Sequence, residues 1–351
     1  MKKKVLASVL LASMCASLLA GCGGSDSASS DNQVVVYNWG EYIDEELLSE
    51  FEDQYGIEVK YSTFNTNEDL YTKVKAAPDS YDIIVPSDYM VAQMIEEDML
   101  EKIDYSNIPN ASKIADRFKN PSYDPTSEYS VPYLFGTVGI LYNEKTVGKE
   151  LDSTQALWDK EFAGKIIMMD SSRDSIGMTL KMLGYSMNET DPAKLEQAKQ
   201  KLIEQKEVLL GYGLDEAKDK VISGEAVMSM SYVGVAMEAM DENEDLAYVV
   251  PKEGSNLAVD CFAIMKGTKM KKEAEQFINF MCDPQNAKRN GEEACYGCPI
   301  PEAVELMDPE FKNNEAMYPP DAVLDTCEDF KGGAEMTKIF NNVWLEVKTA
   351  K

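Results

Sequence analysis

Val34-Val35-Val36-Tyr37-Asn38 runs directly into Trp39-Gly40-Glu41-Tyr42, so a β-branched apolar strand delivers two aromatic rings and a carboxylate at its carboxyl end. An ammonium group is attracted to the face of an aromatic ring, most strongly to indole, and a carboxylate supplies it with a charge-assisted hydrogen bond. Aromatic residues beside an acid also occur in ordinary cores, so the flanking sequence has to decide what this cluster is for.

Working outward, Asp44 is placed to cap a helix whose Leu47, Leu48, Phe51 and Tyr55 share one face and which Gly56 ends. Ile57 to Ser62 reads as a second strand. Asn67 is placed to cap a helix with Leu70 and Val74 facing inward, and Asp82-Ile83-Ile84-Val85 reads as a third strand ending at Pro86-Ser87-Asp88-Tyr89. This is a βαβαβ unit. Right-handed crossovers bring the turns at 39–42, 64–67 and 87–89 to one sheet edge, the edge where open α/β sheets bind ligands.

A second α/β series comes after Tyr133 to Ile140, with strands expected at 165–169, 208–210, 226–230 and 247–250 and turns bearing Asp170, Asp174 and Tyr232. Val259 to Ile264 begins a further strand and 271–281 a helix. About 320 residues are more than one hydrophobic core usually serves, so two lobes are expected. The apolar passages near 135–140 and 256–262 are read as the crossings between them. The fold class is therefore α/β: a two-lobed clamshell, each lobe a mainly parallel sheet flanked by helices, with residues 33–138 plus 259–304 in one lobe and 139–258 plus 305–351 in the other.

The chain opens with Met1-Lys2-Lys3-Lys4, an apolar stretch to Ala20, and Leu19-Ala20-Gly21-Cys22 before a Gly/Ser tract. Residues 1–21 read as a signal peptide. The Leu-Ala-Gly-Cys ending resembles the lipobox of bacterial lipoproteins, which implies lipidation of Cys22 and an extracytoplasmic, membrane-anchored body on a flexible tether reaching to residue 32. A formal charge of −28 argues against a nucleic-acid-binding surface and steers cations favourably. Of seven cysteines, Cys15 leaves with the leader. Cys261, Cys282, Cys295, Cys298 and Cys327 are an odd set with no histidine anywhere, read as buried or free thiols rather than a disulfide framework or zinc site.

With these features assembled, the chain resembles the polyamine-binding proteins of spermidine/putrescine type that serve ATP-binding-cassette importers, a periplasmic-binding-protein-like fold of type II. The most specific stretches are Tyr37 to Tyr42, Val85 to Tyr89, Val131-Pro132-Tyr133, Pro251 to Gly254, Val259-Asp260 and Trp344 to Lys348. The resemblance implies that Trp39, Tyr42, Tyr89, Tyr232 and Tyr296 wall a ligand's methylene chain. It implies polar contacts from Glu41, Ser87 and Asp174, with Asp260 as the main ammonium anchor. It further implies a polyamine ligand, a membrane permease as partner, no cofactor or metal, and a monomer. Departures stand at Ala258, where the family usually has tryptophan, at Ser171, where it has aspartate, and at Phe330, where some members have glutamine; Phe330 and Asp170 could offset them.

Two other readings compete with this one. A hydrolase could use Asp170 and Asp174 as acid and base, but two acids near a helix N-terminus also simply stabilise its dipole. Without histidine there is no Ser-His-Asp or Cys-His arrangement, and no Gly-rich phosphate loop is visible. The same scaffold could instead take a quaternary amine, a cationic amino acid or a metal ion. Quaternary ammonium prefers rings with few acceptors, whereas primary ammonium requires acceptors for its N–H groups, and the several acids favour the latter.

Overall fold

β1 (Gln33–Trp39), β2 (Glu58–Phe64) and β3 (Ile83–Ile84) pair in the order β2-β1-β3, all parallel, in a computed structural model that describes residues 32–350. The expected leader, Cys22 and all but the last residue of the tether lie outside the described residues. Helices Glu46–Tyr55 and Asn67–Ala76 cross between the strands, burying Leu47, Phe51, Leu70 and Val74. Gly56 closes the first in the left-handed region at φ 66, where glycine meets no Cβ penalty.

The caps sit differently from the sequence reading. Thr66, not Asn67, caps the second helix, accepting from the Asp69 amide at 3.1 Å. Both residue types cap well, and the helix begins one residue earlier than expected, which frees the Asn67 side chain to point inward. Asp44 accepts from the Glu46 amide at 3.0 Å, with Glu45 between it and the first helical residue.

β4 (Ser130–Asn143), β5 (Ile166–Met169), β6 (Leu209–Gly213), β7 (Met228–Tyr232), β8 (Leu246–Val249) and β9 (Leu257–Ile264) complete the sheet among the described residues, ordered β2-β1-β3-β9-β4-β7-β5-β6 with β8 beside β4. β4 is buried along all but its last residue, as befits a continuous apolar run inside a sheet. Its residues to Thr137 pair antiparallel with β9, and from Val138 it pairs antiparallel with β7 and then also with β8. The parallel pairs lie at the two ends, β2-β1-β3 and β7-β5-β6, and the middle of the sheet is antiparallel. The architecture is thus mixed α/β, with the two apolar passages running side by side as β4 and β9.

Two helices complete the surroundings of these strand ends. Ser172–Met182, after β5, is buried without a break from Ser172 to Leu180, so it has no solvent face at its start. Ala334–Thr349 ends the described chain and packs against it. Cys261, Cys282, Cys295, Cys298 and Cys327 are free thiols.

Candidate functional site

The carboxyl ends of β1, β2 and β3 open on a cavity of about 520 Å³, shared with β9, the start of helix Ser172–Met182, the end of β7 and Tyr296. Each residue put forward from the sequence as a ligand contact lines this cavity: Trp39, Glu41, Tyr42, Ser87 and Tyr89 from the first unit, and Asp174, Tyr232, Asp260 and Tyr296 from later in the chain.

Asp260 is a buried acid there whose partners are hydroxyls. It is buried on β9, where Ser87 forms an isolated bridge to it, and its oxygens accept from Tyr42 Oη at 2.7 Å and Ser87 Oγ at 2.6 Å. Among the described residues no lysine or arginine pairs with it. Burial pushes its carboxyl up to about 6, the two hydroxyl bonds pull it down, and the neighbouring Asp174 pushes it up again. Asn67 sets this arrangement from behind: its Nδ2 donates to Ser87 Oγ and its Oδ1 accepts from the Ser87 amide, both at 3.0 Å. Tyr133 Oη donates to the Tyr42 carbonyl at 2.6 Å and accepts from Asn290 Nδ2 at 2.9 Å, fixing the loop that carries Tyr42.

Asp174 is the second acid. Ser171, the cap of its helix, donates to Oδ2 at 2.6 Å, Tyr232 Oη donates to the same atom at 3.0 Å, and Asn256 Nδ2 reaches Oδ1 at 3.4 Å. Burial raises its carboxyl above the ordinary range, while these bonds and the Arg173 guanidinium pull it back. Ser171 therefore serves Asp174 both as hydrogen-bond donor and as cap of its helix.

Arg173, behind the lining residues Tyr89, Phe330 and Asp174, is a support of the site that the sequence reading does not supply. Only 2% exposed, its guanidinium lies 4.9 Å from the Tyr89 ring, 4.8 Å from Phe330 and 4.7 Å from Phe340, a desolvated cation–π cage. Desolvation weighs against its charge, and Tyr89, Asp88, Asp174 and Glu68 favour it. Glu68 accepts from Tyr89 Oη at 3.2 Å, and fully buried Asp88 is pushed well above its ordinary range by burial. The sequence analysis places Asn67 and Asp88 in turns at the ligand edge but gives them no contact of their own, and it does not single out Glu68 or Arg173. Nothing in the polar run Ser172-Arg173-Asp174-Ser175 marks this helix start as buried.

The rings have defined seats. Trp39 packs on Phe64 at 4.5 Å, and Tyr296 meets Tyr42 edge-on at 4.8 Å and 80°. Tyr296 lies so close to Gly136 and Gly234 that a Cβ on either would come within 2.8 Å or 2.0 Å of its ring. Glu41 sits at the rim in the left-handed region, φ 50, with its carboxylate 3.7 Å from Lys218. Phe330 does line the cavity, at the Arg173 cage. Asp170 does not stand ready as an acid–base partner for Asp174: Lys348 Nζ holds both its oxygens at 2.9 Å.

A family model, "Bacterial extracellular solute-binding protein", matches residues 46–319. The chain belongs to the bacterial extracellular solute-binding proteins. It is 33% identical over 332 residues to the spermidine/putrescine-binding periplasmic protein of Salmonella typhimurium, covering 94% of this chain and 95% of that one. Its fold matches the spermidine/putrescine ABC transporter substrate-binding protein of Streptococcus pneumoniae with a TM-score of 0.81 at 38% identity, over 91% of this chain and 99% of that one. A lipoprotein of Treponema pallidum superposes with a TM-score of 0.83 at 28% identity, over 90% and 99% of the two chains. In this solute-binding protein the cavity also takes in Gly136 of β4 and Ala258 and Asp260 of β9.

Proposed function

We propose that this solute-binding protein captures a linear polyamine, putrescine or spermidine, in the cavity and hands it unchanged to the permease of an ATP-binding-cassette importer. The observation that supports this most directly is Asp260, a buried carboxylate with hydroxyl partners and, among the described residues, no cation. An ammonium arriving there supplies the missing charge and donors at once, while Trp39, Tyr42 and Tyr296 cover the carbons behind it. Asp174 meets the next ammonium. The names of the Salmonella and Streptococcus relatives point to the same ligand class.

In this reading the residues 33–138 plus 259–304 and 139–258 plus 305–351 act as two lobes that close on the amine. The unliganded site holds carboxylates near one another, which disfavours closure until a cation joins them. Cys22 bears the lipid that keeps the body at the outer face of the membrane, and the protein works as a monomer and a carrier, not an enzyme. Isothermal calorimetry of the purified protein with putrescine, spermidine and choline at pH 7.5 tests the function. Saturable heat with the primary amines and none with choline is expected; silence with both polyamines would falsify it.

A further inference from the structure

At the margin of the same cavity, a primary ammonium is already bound to a carboxylate and aromatic rings. It is the protein's own. Lys348 Nζ lies 2.9 Å from Oδ1 and 2.9 Å from Oδ2 of Asp170, 4.1 Å from the centre of the Tyr212 ring and 5.7 Å from that of Trp344. Trp344 stands edge-on to Tyr212 at 5.4 Å and 88°, and its indole Nε1 donates to Asp170 Oδ1 at 3.3 Å. An acid between rings is the chemistry by which a primary amine is held, here filled from within the chain.

Position and exposure give this a consequence for ligands. Asp170, Trp344 and Lys348 line the cavity that also contains Asp260 and Asp174, so Asp170 stands as a further acid on the same space as those two. The Asp170 and Lys348 side chains are 42% and 32% exposed, and ion pairs so open to water are weak. Lys348 lies in the last turn of helix Ala334–Thr349, on a flexible four-carbon stem that can swing into solvent without disturbing the fold.

Resting on the polyamine reading above, we propose that Asp170, Trp344 and Tyr212 form an auxiliary ammonium subsite, occupied by Lys348 in the free protein and taken over by the outermost ammonium of a triamine. A diamine engages Asp260 and Asp174 and leaves Lys348 in place. A triamine reaches Asp170 only by displacing it, so Lys348 is a tethered competitor that sets the preference between short and long amines. The exchange is of one ammonium for another, with no bond made or broken.

The test is the ratio of spermidine to putrescine affinity, measured by calorimetry at pH 7.5 and low salt, in the wild type, Asp170→Asn and Lys348→Met. Asp170→Asn is expected to lower the ratio several-fold and Lys348→Met to raise it several-fold, the range of a partly exposed charged contact. Both substitutions delete the same ion pair, so a purely structural role would move the ratio the same way in both. Shifts in one direction, or no shift in either, overturn the subsite. Should Lys348→Met fail to fold, Lys348→Gln makes the same comparison. A wild type that binds neither amine overturns the polyamine reading and the subsite with it; one that binds both, with a ratio indifferent to the substitutions, overturns the subsite alone.

Discussion

Asp260 and Asp170 line one cavity in opposite electrostatic circumstances. Asp260 is buried, accepts from Tyr42 and Ser87, and has its carboxyl pushed up to about 6 by burial. Asp170 is half in water and holds Lys348 with both oxygens. A ligand cation therefore gains most at Asp260, where no protein charge must be displaced and the dielectric is low, and least at Asp170, where it competes with a neighbour and with water. Asp174 falls between them: buried and well hydrogen-bonded, but with Arg173 already drawing on its charge.

Asp260→Asn should break this comparison most sharply. Amine affinity is expected to fall by about 3 kcal/mol, roughly a hundredfold, because the ammonium loses its ionised partner in a desolvated site. The unliganded variant should at the same time melt higher than wild type at pH 8, by on the order of 2 kcal/mol in stability, since the buried ionised carboxylate is a cost there. Calorimetry and melting curves read the two effects separately; a variant that binds normally removes Asp260 from the site.

Asp174→Asn comes next. Its expected loss is about 1.5 kcal/mol, roughly tenfold, smaller than at Asp260 because Arg173 already offsets part of the attraction Asp174 offers a ligand. Equal losses at the two positions would mean that Arg173 does not distinguish them. Gly234→Ala then probes the walls with every charge intact. The new Cβ would fall 2.0 Å from Tyr296 Cε2, so the ring must leave its seat, and the loss of one aromatic face is expected to cost about 1 kcal/mol of amine affinity. An unchanged titration would show that Tyr296 only packs.

How much of the site is legible in the sequence depends on which features are local. The run Val34 to Tyr42 sets its own strand and turn, and parallel pairing then brings Ser87 and Tyr89 to the same edge as Trp39. Asn67 is misleading because Thr66 beside it caps equally well, and a shift of one residue turns an expected cap into a support for Ser87. Arg173 is hidden by composition: arginine in a Ser-Arg-Asp turn looks solvated, and only the packing of Phe330 and Phe340, more than 150 positions later in the chain, cages it. Lys348 is legible only as part of a terminal motif, since its partner Asp170 lies across the fold.

The dependence on pH sharpens the comparison without any substitution, because only the buried acids should show it. Asp260 has its folded value raised from 3.8 to about 6, and Asp174 and Glu68 are raised as well, all chiefly by burial. For Asp260 the contribution to the stability of the unliganded fold is fully present below its unfolded value and is lost as pH rises through about 6. An ammonium needs the ionised form, so a proton competes with it on the acid side. Between pH 8 and pH 5 amine affinity should fall roughly tenfold from one such group, and more if Asp174 titrates with it. The rise in melting temperature given by saturating putrescine should grow over the same range from acid to base. Binding at pH 6 should release protons, detected as heats that vary with the ionisation enthalpy of the buffer, and at pH 8 it should release almost none. Affinity flat from pH 5 to pH 8 would mean that Asp260 is already ionised in the unliganded cavity, held so by water or by a charge that its hydrogen-bond partners do not supply.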